Sequence, residues 1–104
     1  KPEKNLLESD VTDHDYRESL QIIDDLYNKA NLVHGDFSEY NIFKTKKGLK
    51  LFDLGSAVDL EHPKATEFLK RDINNISNFF VKRGLVVENP IDVFERITKW
   101  VLKN

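Results

Sequence analysis

The spacing of apolar residues predicts a first amphipathic helix near the start of the chain. Thr12 can cap its N-terminus together with Asp15, three positions later. Val11 can pack against Tyr16 across this cap. Beyond the cap, apolar positions recur every three or four residues: Tyr16, Leu20, Ile23, Tyr27 and Ala30. This spacing places them on one face of a helix, so the helix must pack against another element.

Two further helices follow in the second half of the chain. The longest periodic segment runs from Ala65 to Arg83, with a single apolar stripe formed by Ala65, Phe68, Leu69, Ile73, Ile76, Phe79 and Phe80. Its basic C-terminal residues suit the negative end of a helix, and Gly84 suits its termination. Asn89 and Pro90 then predict the start of a last helix, with Val93, Phe94, Ile97 and Val101 facing inward.

Between the helices the pattern is typical of short strands. Residues Asn31 to Val33 predict an extended entry into the turn that follows. Residues Asn41 to Lys44 and Leu49 to Asp53 predict a hairpin, with its turn at Lys46-Lys47-Gly48. The elements together predict an α+β fold that is mainly α and is built around a small β-hairpin.

The size of the chain limits it to one domain. Its 104 residues contain 39% apolar residues and carry a net charge of −2, so a modest core is possible and no strongly basic surface is indicated. We divide it into a leader or interlobe segment, 1–11, and a folded unit, 12–104. The chain begins with Lys1 and lacks Met, which is typical of a piece of a longer protein. Without Cys or a long apolar run, it is expected to be cytoplasmic and to lack a membrane partner.

Two acidic residues and an amide carry the candidate chemistry. Asp36 and Asn41 are five positions apart, the spacing of the catalytic Asp and the metal-binding Asn in a kinase catalytic loop. Asp53 begins a D-x-G sequence on the far arm of the hairpin, where protein kinases have a metal-binding Asp. Phosphoryl transfer needs a carboxylate to accept the proton of the nucleophile and hard oxygen ligands for Mg²⁺. Asp36 suits the first role, and Asn41 and Asp53 suit the second.

Longer motifs narrow this interpretation. The string LVHGDFSEYNI at Leu32 to Ile42, the string DLGSAV at Asp53 to Val58, and Glu61-His62-Pro63 occur together. The helical string FLKRDINNI at Phe68 to Ile76 continues the pattern. With these motifs the sequence resembles the RIO family of atypical serine protein kinases, and the resemblance extends from about Thr12 almost to the C-terminus.

The resemblance implies a protein-kinase-like C-terminal lobe whose hairpin carries the catalytic loop and the metal-binding Asp. It implies Asp36 as the catalytic base, Asn41 and Asp53 as Mg²⁺ ligands, and ATP as the cofactor. In the family, the nucleotide-covering loop and the phosphate-binding Lys belong to an N-terminal lobe, which we expect to lie outside this chain, so the chain alone should be inactive. The implied partners are a protein substrate or a precursor of the small ribosomal subunit, with ATP hydrolysis as a second activity beside serine phosphorylation.

Two features depart from ordinary protein kinases. Ser38 stands two residues after Asp36, where serine/threonine kinases usually have a Lys that neutralises the transferring phosphate, and we expect Ser38 to lie at the nucleotide. Beyond Gly55 there is no A-P-E motif and only a short stretch before the next helix. A peptide-docking activation segment is therefore not expected.

Three further residues are predicted to support the loop. Asp72 lies on the apolar stripe of its helix, where a carboxylate must be hydrogen-bonded or paired. It either accepts backbone N–H groups from the His34-Gly35 turn or pairs locally with Arg71. His34 is expected to hydrogen-bond backbone atoms rather than to act as a base. Gly55 is expected to let the backbone turn beneath the phosphates.

Several alternatives stay open at this stage. A small-molecule kinase of the aminoglycoside or choline type shares the H-x-D-x-x-x-x-N pattern, and a noncatalytic docking module would use the lobe only for binding. The lysines of the hairpin could contact RNA phosphates, although a solvated surface is the favoured interpretation: Lys44, Lys46, Lys47 and Lys50. An isolated lobe would also expose apolar surface, so self-association is expected.

Overall fold

The computed structural model describes residues 4–99. Three helices are the main elements: α1, Asp13–Lys29; α2, Ala65–Lys82; and α3, Pro90–Thr98. Five short strands accompany them: β1, Lys4–Asn5; β2, Leu32–Val33; β3, Ile42–Thr45; β4, Gly48–Leu51; and β5, Val58–Asp59. The structure confirms the predicted α+β fold, and the small hairpin of β3 and β4 packs against α1.

Helix α1 begins as its sequence predicts. The Thr12 side chain accepts a hydrogen bond from the Asp15 backbone N–H, and the Asp15 carboxylate accepts one from the Thr12 N–H. This reciprocal cap satisfies two backbone donors that the helix itself cannot pair. The Asp15 carboxylate also binds the Lys44 ammonium at 2.8 Å, which ties the start of α1 to strand β3.

Helices α2 and α3 supply half of the buried apolar side chains among the described residues. The predicted stripe of α2 is buried except for the half-buried Phe68, and α2 contacts both α1 and α3. Phe80 packs edge-on against Tyr16 with ring centroids 5.4 Å apart. Asn89 caps α3 through the N–H of Ile91, with Pro90 as the first helical residue. Val93 and Ile97 of α3 are buried, as predicted. Val101 lies outside the described residues.

The strands form two small antiparallel sheets. One has the order β1-β3-β4, and the other pairs β2 with β5. The hairpin differs from its predicted bounds, because Gly48 pairs with Thr45 as the first residue of β4 and the turn is only Lys46-Lys47. Strand β4 ends at Leu51, so Asp53 lies beyond the strand, in an exposed segment.

The segment before Thr12 is more ordered than the sequence predicts. Strand β1 pairs with β3, and the next three residues form a turn of 3-10 helix that fully buries Leu6. The local sequence shows no periodicity that predicts these elements. They are ordered by contacts with strand β3 and with the loop before it, which are distant in the sequence. The division into a segment 1–11 and a lobe 12–104 stays a prediction.

Within the described residues, none of the helices has the length and apolar character needed to cross a bilayer. The cytoplasmic location stays a prediction.

Candidate active site

His34 joins the two segments that carry the candidate acids. Its imidazole is buried, with Nδ1 3.0 Å from the Asp36 backbone N and Nε2 2.5 Å from the Asp53 carbonyl oxygen. Because the Asp36 N–H donates to Nδ1, that nitrogen carries no proton, so Nε2 carries it and donates to Asp53. A neutral imidazole therefore links the backbone at Asp36 to the backbone at Asp53. This geometry matches the structural role predicted for His34.

Asp72 of helix α2 binds the backbone of the loop that carries Asp36. Its Oδ2 accepts the Gly35 N–H at 2.8 Å and its Oδ1 accepts the Phe37 N–H at 3.1 Å, so both oxygens are used. Burial raises the pKa of Asp72 above its ordinary value, while the two backbone donors act in the opposite direction. The geometry matches the first of the two predicted interpretations.

Two further contacts position the loop, and the sequence alone does not reveal them. Arg71, considered above only as a partner for Asp72, instead donates to the Gly35 carbonyl oxygen and stacks on the Phe68 ring. The Ser56 hydroxyl donates to the His34 carbonyl oxygen at 3.0 Å. Both the N–H groups and the carbonyl oxygens of the loop backbone are therefore hydrogen-bonded, which fixes the position of the backbone at Asp36.

Asp36 and Asn41 lie at the two ends of this loop. The Asn41 Nδ2 donates to the Asp36 carbonyl oxygen at 2.7 Å, which leaves Asn41 Oδ1 available to a ligand. The Asp36 side chain is exposed, and no residue in the range 4–99 hydrogen-bonds its carboxylate. Ser38 lies between them, half-buried, and its hydroxyl accepts the Tyr40 N–H at 3.3 Å. The predicted contact of Ser38 with a nucleotide stays a prediction.

Asp53 is also exposed. Its Oδ1 accepts the Gly55 N–H at 2.8 Å, which leaves Oδ2 available to a ligand. Gly55 lies in a turn but does not have a positive φ, so backbone freedom alone does not require a glycine here, and its predicted place beneath the phosphates stays a prediction. A tight contact favours glycine here instead, because a Cβ added at Gly55 would lie 3.1 Å from the same Asp53 oxygen.

The available side-chain oxygens of Asn41 and Asp53 are of the type that binds Mg²⁺ together with a phosphate. Among residues 4–99, no three acidic or histidine side chains form a cluster that could hold a metal alone. Mg²⁺ commonly uses only one or two protein oxygens and completes its six ligands with waters and substrate phosphates. The Asn41 amide oxygen and the Asp53 carboxylate are oxygens of this type, and their binding of one Mg²⁺ ion stays a prediction.

An apolar surface adjoins Asp53. The rings of Phe43 and Phe52 lie 5.1 Å apart, and Phe52 is 63% exposed. Leu54, on the other side of Asp53, is also exposed. Exposed aromatic faces of this kind suit contact with a planar ring. The expected self-association of the isolated chain through such a surface stays a prediction.

Gly35 should be the least replaceable glycine of the site. It has a φ of +87°, and an added Cβ would lie 3.0 Å from the Ser56 carbonyl oxygen. Gly84 has a similar φ of +88° but nothing within 4 Å of the added atom. We expect Gly84→Ala to lower the free energy of unfolding by about 1 kcal/mol and Gly35→Ala by about 3 kcal/mol. Chemical denaturation of both variants measures the difference, and equal losses would mean that the Ser56 carbonyl moves aside freely.

Comparison with known proteins shows the family of this chain. The family model of the RIO domain matches residues 2–93. A probable serine/threonine-protein kinase RIO1 homolog of Encephalitozoon cuniculi is 41% identical over 83 residues, which cover 80% of this chain and 21% of the relative. The RIO-type serine/threonine-protein kinase Rio1 of Haloferax volcanii is 52% identical over 56 residues, which cover 54% of this chain and 19% of the relative. The chain thus spans about a fifth of the length of these relatives.

A solved structure shares the fold. The Rio2 kinase of Chaetomium thermophilum, solved as an ADP/Mg²⁺-phosphoaspartate complex, superposes with a TM-score of 0.75. The match covers 95% of this chain and 33% of that one, at 24% sequence identity. The protein-kinase-like architecture is therefore established for the described lobe.

Proposed function

This chain belongs to the RIO family of atypical serine/threonine kinases, and from that membership we propose that it is the C-terminal catalytic lobe of an enzyme that transfers phosphate from ATP in a Mg²⁺-dependent reaction. One observation carries the proposal: the imidazole of His34 binds both Asp36 and Asp53 by their backbone atoms. The segments that carry these two exposed carboxylates are thereby held in a fixed relative position. A reaction that uses one carboxylate as a base and another as a ligand of a phosphate-bound metal requires such a fixed position.

Each residue takes a role that its surroundings allow. The exposed carboxylate of Asp36 orients the acceptor hydroxyl and takes its proton. The free oxygens of Asn41 and Asp53 hold Mg²⁺, which when bound neutralises charge on the phosphate oxygens. Ser38 offers a hydroxyl near the phosphates in place of the usual Lys. The Phe43–Phe52 surface offers a face to the base of ATP.

The rest of the catalytic machinery is proposed to come from the remainder of the protein, because this chain spans about a fifth of its relatives' length. We therefore expect the isolated chain to be inactive. Family membership favours this proposal over a small-molecule kinase. A partner in small-ribosomal-subunit maturation, and the balance between kinase and ATPase activity, rest on the family resemblance alone.

Mg²⁺-dependent consumption of ATP by the intact protein tests the proposal. Asn41→Ala removes a metal ligand, so we expect the Mg²⁺ concentration for half-maximal turnover to rise at least about tenfold. Asn74→Ala, an exposed amide on α2, is the matched control and should leave that concentration unchanged. An inert wild-type protein would instead favour a noncatalytic docking module, and an unchanged Mg²⁺ requirement in Asn41→Ala would reject Asn41 as a ligand.

A further inference from the structure

A groove runs away from Asp36 along helix α2. It has a volume of about 590 Å³ and lies between the loop at Asp36 to Tyr40 and the C-terminal half of the helix. Asn75, Asn78 and Lys82 lie three and four positions apart, so they share the face of α2 that lines the groove. That face starts one turn beyond Asp72, which binds the loop of Asp36 from below. The groove therefore begins at the candidate base.

The far wall of the groove is held in place by Arg83. Its guanidinium donates to the Ser9 carbonyl oxygen at 2.8 Å and to the Leu7 carbonyl oxygen, and it stacks on the Phe79 ring at 4.8 Å. This contact joins the N-terminal 3-10 turn to the end of α2. Because backbone atoms and a buried ring fix the wall, the groove is already formed without a ligand.

The charges of the groove are divided between its ends. Asp36 and Glu39 place negative charge at the catalytic loop, while Lys82 places positive charge at the other end. In the part of the chain that the structure describes, Arg83 is occupied by the N-terminal segment, whereas the Lys82 ammonium has no acidic partner. The amides of Asn75 and Asn78 are likewise without hydrogen-bond partners there and can bind a peptide backbone.

The distance along α2 from the loop of Asp36, which Asp72 binds, to Lys82 sets a spacing for the occupant of the groove. Lys82 lies ten residues beyond Asp72 on the helix, which corresponds to about 15 Å at 1.5 Å per residue. An extended peptide covers this distance in about four or five residues at roughly 3.3 Å each. A polypeptide with its acceptor hydroxyl at Asp36 would thus place a side chain four or five positions away beside Lys82.

We infer that this groove binds the protein substrate as an extended segment, with an acidic side chain paired to Lys82 four or five positions from the acceptor serine. The inference rests on the proposed function and specifies its substrate class. In the reaction, the serine oxygen forms a bond to the γ-phosphorus of ATP while the bond from that phosphorus to the bridging oxygen of ADP breaks. The serine proton passes to Asp36, and ADP leaves.

Matched peptides test this inference with the intact protein and MgATP. Each peptide carries one serine with Glu four or five positions before or after it, and its counterpart carries Gln there. For one of these placements we expect kcat/KM to be about threefold to fivefold higher with Glu than with Gln, the effect of an exposed ion pair. Lys82→Ala should bring that ratio to one, and Lys82→Glu should instead favour a peptide with Lys at the same position by about threefold.

A lysine outside the groove is the control. Lys64 is exposed at the opposite end of α2, so Lys64→Glu should keep the wild-type ratio. The inference would be overturned if the wild-type protein showed no preference for Glu over Gln at any placement, or if Lys82→Glu left the wild-type ratio unchanged. In both cases, phosphorylation of the peptides would still support the proposed function. ATP hydrolysis without phosphorylation of any peptide would also overturn it. Absence of both activities would instead reject the proposed function.

Discussion

Replacement of Asp36 by Asn should reduce the turnover of the intact protein by about 10²- to 10⁴-fold, the usual contribution of a positioned general base. An amide has nearly the same shape as the carboxylate but cannot accept the proton of the acceptor hydroxyl. The loop itself should stay in place, because the bonds that hold residue 36 use its backbone N–H and carbonyl oxygen rather than its side chain. The loss should therefore fall on kcat, with little change in the affinity for ATP.

Steady-state kinetics and equilibrium binding of ATP measure the two quantities separately. Asp59→Asn is the matched control, since Asp59 is also exposed and its side chain accepts the Glu61 N–H, which an amide oxygen can also do. Turnover of Asp36→Asn within a few-fold of wild type would show that another group takes the proton. A parallel loss of ATP affinity would point to a displaced loop.

Replacement of Asp72 by Asn should destabilise the chain by about 1–3 kcal/mol, the cost of a buried donor left without a partner. The carboxylate accepts the N–H groups of Gly35 and Phe37 on separate oxygens. An amide offers only one oxygen, so its NH₂ group would face one of these donors. Asp72→Ala leaves both donors unpaired and should cost about twice as much. Chemical denaturation measures these losses, with Asp92→Asn, an exposed carboxylate of α3, as the control.

The pH dependence gives an independent check. Burial raises the pKa of Asp72 above its ordinary value of 3.8, so the folded state binds this proton more tightly than the unfolded state. The contribution of Asp72 to the free energy of unfolding is then largest below the ordinary pKa and falls as pH rises through the raised pKa. The difference in stability between wild type and Asp72→Asn should narrow over this range. A difference that widens with pH would show that the backbone donors outweigh the burial.

The sequence determined the elements whose signals lie within a few residues of one another. The cap at Thr12 and Asp15, the start of α3 at Asn89 and Pro90, and the termination of α2 near Gly84 all appear as predicted. Each depends on hydrogen bonds or backbone angles within one helical turn, so neighbouring residues suffice to specify it. The candidate residues Asp36, Asn41 and Asp53 could also be chosen from the sequence, because their types and spacing form a motif.

The contacts that hold these residues in place come from distant parts of the chain and are visible only in the folded structure. His34 meets Asp53 across 19 positions, Asp72 meets Gly35 across 37, and Arg83 meets Ser9 across 74. Such contacts depend on how the helices and the hairpin pack around a shared core, and no local pattern encodes the direction of a side chain relative to a distant backbone atom. The pairing of β1 with β3 escaped prediction for the same reason, because a two-residue strand has no periodicity of its own and gains its order from its partner.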